Sequence, residues 1–376
     1  MAEQKMGCVL GETFNKMKPY LAMISLQFGY AGMHIVLLLS FKRGFSHWVF
    51  VVYRHAVATV FFAPFAYYFE KKIRPKMTKS IFFKIMLLGF LEPVLDQNLY
   101  GVGIQYTSAT FAAATVNILP AVTFIMAVVF RLEKVNLKKV HSLAKVIGTT
   151  VTVIGAMLMT LYKGPAINIL FFSHGGHHEA ASTAADQHWV TGTIMLLGCI
   201  VGWAAFFILQ NNTLKEYPAE LSLTTLICLM GTVEGGIVAA IMERRPSAWA
   251  IGFDARLLAA TYSGLVCSGI AYYLQSVVNK AKGPVFVTSF SPLSMIITAF
   301  LSAIILAETL HLGSVIGAVI IVSGLYCVVW GKTKEDSAAK DIKSQQLPVV
   351  IDMGASDNNI NGTTLKTKIN SLHEEP

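Results

Sequence analysis

Charge is scarce in this sequence: Asp, Glu, Lys and Arg make up 14% of its 376 residues, against about 25% in an ordinary soluble chain. Cysteine is sparse too. Cys8, Cys199, Cys228, Cys267 and Cys327 stand singly, with no CxxC pair or regular spacing, which excludes a disulfide framework and a thiolate metal knuckle. HExxH, GxSxG, the phosphate loop GxxxxGK[ST] and a dinucleotide-binding glycine run are all missing, so the sequence offers no enzyme signature, no ATP site and no cofactor site. His34 and His55 stand apart as packing residues, and no metal site is expected. The first 18 residues, MAEQKMGCVLGETFNKMK, lack the apolar core of roughly 7 to 15 residues of a secretion signal, so the first membrane helix is expected to direct insertion.

What fills the chain is apolar: 54% of it is hydrophobic and its mean hydropathy is +0.58. A helix needs about 20 apolar residues to cross the hydrocarbon core. That length predicts ten spans, near 19–40, 46–69, 81–104, 108–130, 141–162, 189–211, 220–242, 255–279, 284–306 and 311–331. The net charge of +9 does not point to nucleic acid, because the basic residues lie in short loops beside apolar runs. They set orientation instead: seventeen fall on the side of the N-terminus, among them Lys71, Lys72, Arg74, Lys76 and Lys79, against six on the other. Both termini are therefore expected in the cytoplasm. The expected organisation is a cytoplasmic segment 1–18, a first five-helix unit 19–163, a non-cytoplasmic loop 164–188 with His174, His177, His178 and His188, a second unit 189–331, and a disordered cytoplasmic tail 332–376.

The two units echo each other. VIGTTVTVIG at 146–155 answers VIGAVIIVSG at 315–324, EKVNL at 133–137 answers ETLHL at 308–312, and Pro120 answers Pro292. Glu70-Lys71-Lys72 at the end of the second span answers Glu243-Arg244-Arg245 at the end of the seventh. Five is an odd number, so a duplicated unit enters the membrane from the opposite face. The fold class is an all-α membrane protein of ten helices in two inverted five-helix repeats, the architecture of alternating-access transport. Gly198/Gly202, Gly231/Gly235 and Gly313/Gly317 have the spacing of close helix contacts.

Within the spans, deep charge is confined to Arg54, Glu92, Asp96 and Glu234. Such residues are costly in lipid and face a bundle interior or a wet cavity. Glu92 and Asp96 are four apart, which stacks them on one helical face, and Arg54 is expected to pair with one of them, either as a structural lock or as a proton site or gate. Pro93 is expected to kink the third helix, as are Pro120 and Pro292 the fourth and ninth. Gln97 and Asn98 widen the polar surface, for which a hydrated central cavity is the remedy. Gln27, Tyr30 and His34, then Tyr100, Asn117, Trp203, Gln210, Tyr272, Tyr273, Gln275 and Ser289 are further candidates for a pathway, since aromatics with amides and hydroxyls hold small zwitterions.

The segments LQFGYAG (26–32), FEKKIRPKMT (69–78), EPVLDQNLYGVGIQYTSATFAAATVNILPAVTFIMA (92–127), FRLEKVNLKKVHSLAKVIGT (130–149), KGPVFVTSFSPLSM (282–295) and GLYCVVWGK (324–332) closely resemble the plant nodulin-like, walls-are-thin-related transporters. These form part of the EamA branch of the drug/metabolite transporter superfamily, and many are called usually-multiple-acids-move-in-and-out transporters. The resemblance implies ten helices, two EamA repeats, and bidirectional export or facilitated movement of several amino acids at the plasma membrane. Some relatives sit in the vacuolar membrane and one is associated with auxin, so an auxin or other metabolite carrier is the alternative, ahead of a non-transporting receptor or scaffold. One departure stands out: Gly101 occupies a position where the family often has tyrosine.

Overall fold

The computed structural model describes residues 2–41, 46–107, 109–133, 135–136, 138–162, 164–167, 189–252, 254–305 and 310–345. The central part of the histidine-rich loop, with all four of its histidines, and the tail beyond Gln345 lie outside the described residues.

Helices occupy all ten expected stretches. In chain order they are α1 (Ala2–Phe41), α2 (His47–Glu70), α3 (Lys79–Gly89), α4 (Gln97–Tyr106), α5 (Ala109–Val116), α6 (Leu119–Val129), α7 (Val140–Leu161), α8 (Trp189–Glu216), α9 (Glu220–Met242), α10 (Pro246–Trp249), α11 (Ala255–Tyr262), α12 (Ala271–Lys282), α13 (Pro284–Ser289), α14 (Ser291–Ile305) and α15 (Leu312–Gln345). Eight helical stretches among the described residues are long and apolar enough to cross a membrane. The run 79–106, which is not one of the eight, carries Lys79, Lys84, Glu92 and Asp96. Large apolar side chains cover the outside of the bundle, among them Val60 at 76% exposure, Val319 at 63% and Ile237 at 60%, a surface suited to lipid rather than water. α15 continues to Gln345, so residues 332–345 are helical where the sequence suggested disorder. Their Lys, Glu and Ala content favours extending a helix that is already nucleated.

Two spans contain wide, π-helical segments: π1 (Phe90–Asp96) joins α3 to α4, and π2 (Ser263–Ile270) joins α11 to α12. They correspond by duplication. Laying Glu70 on Glu243 also lays the start of α2, His47, on the start of α9, Glu220, and Phe90 on Ser263. Pro93 sits inside π1, so its missing amide is absorbed by a wider turn instead of breaking the helix. The fourth and ninth spans do break. α5 ends at Val116 and α6 begins one residue before Pro120; α13 ends at Ser289 and α14 begins one residue before Pro292. Proline is tolerated in a first helical turn and not further in.

The repeated VIG motifs pack on each other. A methyl group on Gly148 would lie 2.7 Å from Gly324 O, and one on Gly155 would lie 2.8 Å from Ile321 N; conversely, Gly317 faces Gly155 O and Gly324 faces Gly148 O. The first glycine of each motif therefore meets the second of the other, the self-complementary contact of two antiparallel copies related by a two-fold axis. Gly231 packs on the Pro93 ring, while Gly198 and Gly202 face Leu99 and Leu95. A two-residue antiparallel pair, Ala166–Ile167 with Leu310–His311, joins the segments after α7 and before α15. Gly283, between α12 and α13, has φ +87° and ψ 168°, a conformation open essentially to glycine alone.

Candidate functional site

A cavity of about 830 Å³ lies among these helices, with both repeats in its wall. Ser46, His47 and Trp48 at the start of α2, Gln105 near the end of α4, and Glu243 and Arg245 beyond α9 line it at one end of the bundle. Deeper, the wall is Tyr30, Arg54, Glu92, Asp96, Gln97, Tyr100, Asn117, Cys199, Trp203 and Gln275. At the opposite end a buried polar cluster closes the bundle. Gln210 donates to Ser276 Oγ (3.1 Å), Asn279 donates to Gln210 Oε1 (2.9 Å) and Phe207 O (2.9 Å), and Asn211 donates to Asn279 O (2.8 Å). Gln210 and Asn279 are fully buried.

The charged centre is built around Arg54, which is 5% exposed. Its Nε donates to Ser268 Oγ at 2.6 Å, Nη1 to Gln97 Oε1 at 3.3 Å and Nη2 to Cys267 O at 3.4 Å. Gln97 in turn donates to Glu92 Oε1 at 3.3 Å. The expected direct pair between Arg54 and a carboxylate is thus replaced by a relay through Gln97. The reason is the π turn: its hydrogen bonds run from i to i+5, which brings Gln97 rather than Asp96 over Glu92. Asp96 instead accepts from Cys199 Sγ at 2.8 Å. Glu92 Oε2 is buried and has no hydrogen-bond partner among the described residues. Trp203 stacks against Phe207 with ring centroids 6.4 Å apart, and Gln275 donates to the Tyr30 hydroxyl at 3.0 Å.

Five expected pathway residues lie elsewhere. Asn98 turns back onto Val94 O at 2.7 Å, because the wide turn rotates it away from the cavity. Gln210 belongs to the closing cluster, below the cavity floor. Ser289 donates to Val285 O at 2.6 Å within its own helix. Tyr273 is half-buried outside the cavity wall, while its neighbour Tyr272 packs against Phe206 and His55. Gly101 does line the cavity, and the place of a side chain there is taken by the His47 ring. A methyl group on Gly101 would lie 2.5 Å from His47 Nε2, which is itself 2.8 Å from Gln97 O.

Two features escaped the sequence reading. Lys145 is fully buried and holds Glu133 (2.5 Å) and Glu335 (2.8 Å), with Lys332 bonded to the same two carboxylates. Glu70, 9% exposed, accepts from the backbone amides of Leu221 (2.9 Å) and Ser222 (2.6 Å), capping α9 from another helix; a carboxylate there also complements the positive end of the helix dipole. Outside the spans, Asp254 caps α11 by accepting from Arg256 N at 2.9 Å, and its hydrogen bond from the Arg256 side chain holds its carboxyl below the usual aspartate range.

Residues 17–161 and 190–330 each match the EamA-like transporter family. The WAT1-related protein At1g44800 of Arabidopsis thaliana is 61% identical over 344 residues, covering 90% of this chain and 93% of the relative. The WAT1-related protein At4g08300 of the same plant is 59% identical over 345 residues, covering 90% and 92%. A chain of solved structure, 12% identical, superposes with a TM-score of 0.61 over 85% of this chain and 97% of its own length, which shows a shared fold. With two matched repeats and relatives aligned over nearly their whole length, the chain belongs to the EamA-like transporter family, as a WAT1-related membrane transporter.

Proposed function

We propose that the protein moves amino acids across the plasma membrane, in either direction, by alternating access between its two repeats. The observation that carries this reading is the cavity of about 830 Å³ walled by both repeats and closed at one end by the Gln210, Asn211, Ser276 and Asn279 cluster. Sites for small molecules occupy roughly 300 to 1,000 Å³, so an amino acid fits with room for water. Polar groups at mid-depth from both repeats, Gln97 and Asn117 from one and Gln275 from the other, suit a zwitterion. We read the ten spans with both termini in the cytoplasm, a topology that would put the cavity mouth, with Glu243 and Arg245, on the non-cytoplasmic face. The test is flux of a radiolabelled amino acid panel, glutamine included, into and out of liposomes carrying the purified protein. Flux above empty vesicles in both directions is expected, and none for any member of the panel would refute the proposal. A fluorescent fusion separates the plasma membrane from the vacuolar membrane.

A further inference from the structure

We propose that the cavity recognises its substrate through a protonated amine, its deep carboxylates outnumbering its deep cation among the described residues. This rests on the transport reading above and narrows it. Three of the five N–H groups of the deep Arg54 guanidinium have protein acceptors, Ser268 Oγ, Gln97 Oε1 and Cys267 O, and its charge is shared with Glu92 through Gln97. Arg245, the other arginine in the wall, stands at the mouth with its side chain 85% exposed, 4.0 Å from Glu243. The carboxylates are in the opposite condition. Glu92 receives one long amide bond and its Oε2 none among the described residues, and Asp96 receives a thiol. Both are at least nine-tenths buried, and both line the cavity.

Two acids against one arginine leave an acceptor that only a proton or a cation completes. Trp203 lines the same cavity, and an aromatic face adds cation–π attraction for an ammonium. For a substrate carboxylate the described residues of the wall offer neutral groups, of which Asn117, Ser294 and Gln275 already donate to Thr160 Oγ1, Ser291 O and the Tyr30 hydroxyl. Amines that lack a carboxylate are therefore ligands of this site, and carboxylic acids that lack an amine are not.

The test uses three compounds of one skeleton in the liposome assay: glutamine, its decarboxylated amine 4-aminobutanamide, and its deaminated form glutaramic acid. The amine should compete with labelled glutamine within about threefold of glutamine itself, and the acid at least about tenfold less well, because like charges brought together cost several kcal/mol. Glu92→Gln should abolish competition by the amine, with Asp96→Asn as the second variant should the first not fold. An acid that competes as well as the amine would overturn the inference while leaving amino acid transport intact. If no amino acid flux exists, the same pair is read by thermal stabilisation of the detergent-purified protein: stabilisation by the amine supports the site, and stabilisation by the acid alone refutes it.

A second observation, independent of the charged centre, concerns the two ends of the bundle. At the closed end Glu70 caps α9 through Leu221 N and Ser222 N. Under the duplication that lays Glu70 on Glu243, those amides fall on Trp48 and Val49, the first turn of α2. At the open end the residue before that turn, Ser46, makes no side-chain cap, no described carboxylate accepts from the Trp48 or Val49 amide, and Glu243 lines the cavity together with Ser46, His47 and Trp48. We infer that Glu243 caps α2 in the state where this end closes, so that the two carboxylates act as alternate latches.

The assay is labelling of the thiol introduced by Gln105→Cys, at the mouth, with an impermeant maleimide, counted above the parent background. Glu243→Ala should speed labelling and Glu70→Ala slow it, each about three- to tenfold for a cap of ordinary strength. Glu243→Ala decides the matter even if Glu70→Ala does not fold, since in the present state Glu243 Oε1 accepts only a long bond from Arg245 N (3.3 Å) among the described residues. An unchanged labelling rate in Glu243→Ala, or a slower one, would refute the latch.

Discussion

Removing Lys145 should damage this protein more than removing any exposed charge. Its ammonium has no solvent exposure and lies 2.5 Å from Glu133 and 2.8 Å from Glu335; the Glu133 side chain is 3% exposed. With Lys145→Met, Lys332 alone faces both carboxylates, at 3.0 Å and 3.2 Å, and one negative charge is left uncompensated. Breaking a buried pair from one side costs about 3 to 5 kcal/mol. The partial exposure of Lys332 (14%) and Glu335 (24%) points to the lower end, about 3 kcal/mol. Adding Glu133→Gln removes the surplus charge and leaves Lys332 paired with Glu335, so the double variant should recover about half of the loss. The readout is the midpoint of thermal unfolding in detergent, followed by loss of the monodisperse gel-filtration peak, for the parent, both single variants and the double. A single variant within about 0.5 kcal/mol of the parent, or a double variant whose loss is the sum of the singles, would refute this account, since neither fits an uncompensated buried charge.

Arg54→Lys keeps the charge but has no planar fork with which to serve Ser268, Gln97 and Cys267 O together, so it should lower stability by about 1 to 2 kcal/mol; parent-like melting would contradict the relay. Gly148→Ala places a methyl 2.7 Å from Gly324 O and Val328 N, backbone atoms that cannot rotate away. It should separate the two repeats and cost about 1 to 3 kcal/mol, whereas the same change at Gly236, which has open space around it, should be silent in the same melting assay. Gly101→Tyr must displace the His47 ring from Gln97 O and fill the mouth, so the affinity for bulky substrates should fall more than that for small ones when competition is measured side by side.

The helices were legible in the sequence because length and apolarity alone decide them, and the duplication was legible because glycines at a crossing admit no other residue. The charged centre was only half legible. Spacing arguments assume about 100° per residue, which stacks Glu92 on Asp96, and nothing in FLEPVLD announces a π segment apart from the proline within it. Once the turn widens, Glu92 meets Gln97, the Arg54 pair becomes a relay, and Asn98 rotates out of the wall. Lys145 was missed for a different reason. It stands near the start of a span, close to Lys138 and Lys139, where position alone gives it no partner; only tertiary contact brings Glu133 and Glu335 to it. Glu70 read as one of the charges at the end of the second span, although its repetition as Glu243 was the available sign that it does structural work.

The duplication shares a backbone and not a chemistry. Under the alignment that lays π1 on π2, Arg54 falls on Ile227, Glu92 on Leu265, Asp96 on Gly269 and Gln97 on Ile270. The ionic centre therefore belongs to the first repeat, while the shortest hydrogen bond of Arg54, to Ser268 at 2.6 Å, crosses to the π segment of the second. Gly264, in that segment, would put a methyl 2.5 Å from Arg54 O, so α2 and π2 are in backbone contact at the same level. A motion that rocks one repeat against the other has to carry this contact whole or exchange it for another. Packed interfaces switch between discrete arrangements rather than deforming continuously, and a residue tied to both repeats stands at such an interface. If the proposed amine site and alternating access hold, charge recognition and the change of access meet at Arg54: a cation bound at Glu92 would compete for the partner of Gln97, and through Gln97 would act on the hold of the first repeat on the second.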